Sequence, residues 1–86
     1  MTKDHFTPTM RAAIDHALLH GNGIPERTVL VRFPGGFWSH AGWLHDGPHW
    51  GTTTIEGIVR RGAGEYSGWQ NRKDGSKFPI EMRVAL

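Results

Sequence analysis

The sequence predicts an α+β domain in which helix, hairpin, helix and hairpin follow one another and the strands form a small antiparallel sheet. Three observations carry this. Apolar residues recur at helical spacing after "TP" near the start, "FPGGF" breaks an alternating run, and the tail alternates strictly to its end. A chain of 86 residues holds one core, so residues 1–86 are expected to form a single domain.

Composition narrows the function classes. Hydrophobic residues make up 37% of the chain and include four Trp, which suits a folded domain and not a disordered one. Without cysteine there is no disulfide, no thiolate nucleophile and no thiolate metal site. No apolar run approaches a membrane span, and "MTKDHF" has no signal-peptide core, so a cytoplasmic protein without membrane contact is expected. Net charge is +2, and residues 52–86 contribute six basic against four acidic groups, a mild excess towards the carboxyl end.

The first helix is read from "TPTMRAAIDHALLHG". Thr7 is a suitable N-cap, Pro8 falls where its missing N–H costs nothing, and Gly21 supplies the stop. Met10, Ala13, Ile14, Ala17 and Leu18 are expected to face the core. In "RTVLVRFPGGFW", Val29, Val31 and Phe33 alternate with Thr28, Leu30 and Arg32, and Pro34-Gly35-Gly36 turns the chain into Phe37 and Trp38. "LHDGPHWG" has no period and reads as a loop pinned by Trp43 and Trp50.

The second helix is expected in "TTTIEGIVRRG". Thr53 and Glu56 match a capping box, Ile55, Ile58 and Val59 form a stripe, Arg60 and Arg61 suit the negative end of the helix dipole, and Gly62 ends it. In the tail, Phe78, Ile80, Met82, Val84 and Leu86 alternate with polar residues and Pro79, giving a strand with one dry face. Pro79 predicts an edge position or an irregular start. "KDGS" turns this strand back on "GEYSGWQNR", and removal of the last few residues is expected to be costly.

Taken in order, "TPTMRAAIDHAL", "RFPGGFW", "GTTTIEGIVRRG" and the closing ribbon make the chain resemble the small winged-helix-like proteins of phages and other bacterial mobile elements. The resemblance implies a winged-helix-like fold with residues 53–61 as recognition helix and residues 65–86 as wing. It departs from that pattern at "WLHDGPHW", too short and too rich in Gly and Pro for a positioning helix. Glu56 is a second departure, because a carboxylate repels phosphate and accepts only from a donor such as cytosine.

Two partner classes follow. Thr52, Thr54, Arg60, Arg61, Arg72, Lys73 and Lys77 are the candidate contacts for DNA or a nucleic-acid-protein complex, with Trp69 available to pack on sugar or base. Phe37, Trp38, Trp43 and Trp69 are the candidate protein interface, for a homodimer or for a host defence protein inhibited in the manner of an anti-CRISPR. His16 and His20 have the i, i+4 spacing of two metal ligands, and His40, His45, Asp46 and His49 cluster in the hairpin and its loop. With no Glu between the helical pair and no Cys, no metal and no cofactor is expected. Nor is catalysis, since Ser39, Ser67 and Ser76 lie in Gly-rich or turn contexts without an evident His and acid arrangement.

Overall fold

The computed structural model describes residues 6–43 and 47–85. Among these residues it is an α+β fold with two α-helices and a five-stranded antiparallel sheet. Helix α1 covers Pro8–Gly21, strands β1 and β2 cover Val29–Phe33 and Phe37–Ser39, and β3 is the pair Trp50–Gly51. Helix α2 covers Thr52–Arg60, and β4 and β5 cover Gly64–Asn71 and Lys77–Val84. The sheet order is β3-β2-β1-β5-β4.

Helix α1 begins as its sequence dictates. The Thr7 hydroxyl accepts from the Met10 N–H at 3.1 Å, and proline occupies the first turn. Its end differs from the expectation. Asn22, at φ 50°, takes the left-handed position, while Gly21 stays helical and buried. Gly21 serves a close approach instead, because a Cβ there would collide with the Thr28 hydroxyl. Thr28 in turn donates to the Ile24 carbonyl at 3.0 Å, which ties the single 3-10 turn at Pro25–Arg27 between α1 and β1. Leu18, expected in the core, is 39% exposed.

The β1–β2 hairpin closes at Pro34-Gly35-Gly36, where both glycines take positive φ and the Gly36 N–H bonds the Phe33 carbonyl at 3.0 Å. Register pairs Leu30 with Met82, Arg32 with Trp38 and Trp38 with Trp50. Leu30, Trp38, Trp50, Met82 and Val84 join Ala13, Ile14 and Ala17 of α1 and Ile55 and Ile58 of α2 in one buried cluster. β1 therefore shows the helices Leu30, while Val29 is also buried and Val31 and Phe33 are half-buried.

Helix α2 begins at Thr52 with Gly51 as N-cap and no side-chain capping bond. The Thr53–Glu56 capping box is thus corrected. Pairing of Phe37 with Gly51 carries the strand to the helix, so Thr53 lies inside the first turn and both it and Glu56 are exposed. The expected end is present: the Gly62 N–H bonds the Val59 carbonyl and Gly62 has φ 80°.

β5 has two environments. Val29 to Val31 of β1 pair with Arg83 to Glu81, whereas β4 pairs with β5 from Gly64↔Val84 to Asn71↔Lys77. Residues 77–80 and their partners therefore extend past β1 as a two-stranded arm. Pro79 lies in this arm opposite Trp69, so β5 is interior at one end and an edge at the other. The register shifts near Gly68, where the Ser67 hydroxyl bonds Glu81 Oε1 at 2.7 Å. His45, Asp46 and Leu86, which the sequence reading used, lie outside the described residues.

Candidate nucleic-acid interface and histidine corner

A cleft of about 130 Å³ opens between the start of α2 and the arm. Thr52 and Glu56 line it from α2, Arg72, Phe78 and Pro79 from the arm, and Arg32 and Trp38 from the first hairpin. The guanidinium carbons of Arg32 and Arg72 lie over the Phe78 ring, 5.1 and 4.7 Å from its centroid. Such contacts hold planar cations in place while leaving their N–H edges able to donate. Two arginines face one carboxylate in the wall.

Arg72 is fixed further by the hairpin tip. Its Nη1 lies 3.3 Å from Ser76 Oγ, and Asp74 Oδ1 accepts from the Ser76 hydroxyl at 2.7 Å and its N–H at 2.9 Å. These bonds from Ser76, the side-chain one first, hold the Asp74 carboxyl below its usual range. Lys73 and Lys77 are exposed on the same tip. Trp69 is 53% exposed and meets Tyr66 edge-on at 5.5 Å. Burial, then the nearby Glu56, pushes the Tyr66 hydroxyl up, and Arg60 opposes this, so α2 faces the inner part of β4 along Glu56 and Arg60.

The sequence-derived contact set is only partly assembled here. Thr52 and Arg72 share the cleft, and Lys73 and Lys77 flank it on the hairpin tip. The Thr52 hydroxyl, however, accepts from Trp38 Nε1 at 3.1 Å and lies 3.4 Å from the Gly36 carbonyl, so it also serves the fold. Thr54 is half-buried. Arg60 and Arg61 close the opposite end of α2, roughly 13 Å along the axis from Thr52, and Arg61 Nη1 donates to the Gly57 carbonyl at 3.2 Å. Arg32 was missed; its signal was a cation inside an otherwise apolar strand.

The aromatic set divides as well. Phe37 is 41% exposed and, like Trp69, offers surface to a partner. Trp38 and Trp43 do not, which corrects their assignment as interface residues. Trp38 is fully buried under the helices, and Trp43 packs on Phe33 and His49 at 5.2 and 5.3 Å.

At the end of α1, His16 and His20 meet His40, which follows β2. His16 Nε2 lies 2.9 Å from His40 Nδ1, the rings of His20 and His40 stack at 3.9 Å, and His16 and His20 are 4.4 Å apart. One nitrogen ligand atom from each can be chosen so that all three lie within 4.8 Å of one another. His16 is half-buried against Trp50, with ring centroids 5.2 Å apart. Burial first, then the neighbouring imidazoles, pushes His16 and His40 below the ordinary histidine range. A cleft of about 370 Å³ adjoins them, lined by His20 and His40 and by Glu26, Arg27 and Glu81. Sequence spacing pairs His16 with His20 but places His40 in another group.

No family model, curated protein or solved structure matches this chain.

Proposed function

We propose that the protein binds nucleic acid, alone or within a nucleic-acid-protein complex, along the cleft between α2 and the β4–β5 arm. The observation that carries this reading is the Arg32–Phe78–Arg72 arrangement, two oriented guanidiniums on one ring in a single cleft. Guanidinium forks match phosphate oxygens, Lys73 and Lys77 extend the positive surface along the tip, and exposed Trp69 supplies a flat face for a sugar or base. In this reading the arm is the wing of a winged-helix-like protein of mobile-element type. The helix contributes the cleft wall and not a row of base-reading side chains. Glu56 limits affinity and favours a site that offers it a donor.

Fluorescence anisotropy with labelled duplex and single-stranded oligonucleotides at two salt concentrations tests this. Binding should weaken steeply with salt, and Arg72→Ala should lower the salt slope by about one. Absence of binding at low salt sinks the proposal. A second reading, a protein partner such as a host defence complex, rests on the exposure of Phe37 and Trp69. It is favoured instead if a host complex is captured by the wild type and lost with Phe37→Ala or Trp69→Ala, while oligonucleotides remain unbound.

A further inference from the structure

We infer that His16, His20 and His40 form a binding site for a divalent transition metal of the zinc class, with a fourth coordination position open to the adjoining cleft. The expectation of no metal rested on the missing Glu between the helical pair and the absence of Cys; the fold brings His40 to that pair, and three imidazoles need neither.

The geometry is close to what such an ion needs. Imidazole nitrogens about 2.0–2.1 Å from a tetrahedral ion are roughly 3.3–3.4 Å apart. Here one pair stands at 2.9 Å and no pair of the chosen ligand atoms exceeds 4.8 Å. His20 stacks on His40 at 3.9 Å, so ligation requires its exposed side chain to rotate out of that stack and the 2.9 Å His16–His40 pair to open slightly. His16 is held by its contact with Trp50, and the i, i+4 spacing puts His20 on the same face of the helix.

The surroundings agree with the chemistry. Each imidazole would ordinarily be expected to find a carboxylate or carbonyl partner, yet among the described residues the closest polar contact here is between two histidines. His16 Nε2 and His40 Nδ1 share a hydrogen bond at 2.9 Å, with the Ser39 hydroxyl 3.4 Å from the same His40 nitrogen, and a cation bound here would replace that shared proton with nitrogen ligation. Nitrogen donors select Zn²⁺, Co²⁺, Ni²⁺ or Cu²⁺ over Mg²⁺ and Ca²⁺, which prefer oxygen. Three protein ligands leave a position open to the adjoining cleft, whose wall includes the carboxylates of Glu26 and Glu81.

The test uses the tag-free, chelator-treated 86-residue chain titrated with Co²⁺, read by its visible absorption, and with Zn²⁺, read by calorimetry and thermal melting. One equivalent should bind with bands of a four- or five-coordinate ion, and Zn²⁺ should raise Tm. Excess Mg²⁺ should do neither. His20→Ala is the informative variant, because His20 is exposed and outside the core. It should keep its fold while affinity falls by more than the roughly 10–100-fold that loss of an outer-shell partner costs. His49→Gln should bind as wild type. No Co²⁺ bands and no Tm shift overturn the site, as does a folded His20→Ala protein that binds like wild type.

Discussion

The two ends of β5 belong to one strand and obey different physics. From residue 81 onward it lies between β1 and β4, and Met82 and Val84 are 0% and 7% exposed beneath the helices. From Lys77 to Ile80 only β4 pairs with it, and its residues are half-buried or exposed. The inner end contributes stability through dry contacts. The outer end carries cations and rings in contact with water, where such groups stabilise the fold little and remain available to a ligand.

Four substitutions or truncations can break or sharpen this contrast. Trp38→Ala should have the largest effect, because it empties a fully buried site and strips Thr52 of its indole donor. A loss of about 3–5 kcal/mol is expected, visible as a protein largely unfolded in a urea melt. Deletion of residues 84–86 comes next. It removes buried Val84 and the bonds from the Val84 and Ala85 N–H groups to the Thr28 and Ala63 carbonyls, for roughly 3 kcal/mol in denaturant midpoint analysis.

Thr7→Ala should cost about 1 kcal/mol, since only one capping bond at an exposed helix start is lost. Arg72→Ala should be smallest, within about 0.5 kcal/mol of wild type by thermal melting, although it weakens oligonucleotide binding. If Arg72→Ala destabilises as much as the truncation, the arm is not separable from the core and the contrast fails.

Legibility in the sequence follows the same division. Features set by neighbours along the chain were readable: the Thr7 cap, the Pro34-Gly35-Gly36 turn, the Asp74-Gly75 turn and the alternation of β5. Features set by partners far along the chain were not. β3 has two residues and thus no period, yet its pairing with β2 fixes where α2 starts and defeats the Thr53–Glu56 box. Leu30 could not be distinguished from Val29 and Val31 as the helix-facing residue, because Val29 is buried as well and Val31 is half-buried. Within the candidate sites, Arg72, Lys73 and Lys77 share a turn and were found together. Arg32 reaches Phe78, and His40 reaches His16, only through sheet docking.

The contact of Trp50 with His16 has an optical consequence. Indole emission responds to a neighbouring imidazole and is quenched strongly by an adjacent open-shell ion such as Cu²⁺ or Ni²⁺. Trp50 sits at 5.2 Å from one of the three histidines, whereas Trp69 lies on the arm. Events at the histidine corner should therefore dim a buried emitter, and a ligand stacking on the arm should alter an exposed one. Of the four tryptophans, Trp50 is thus the reporter beside the histidines and Trp69 the exposed one on the arm.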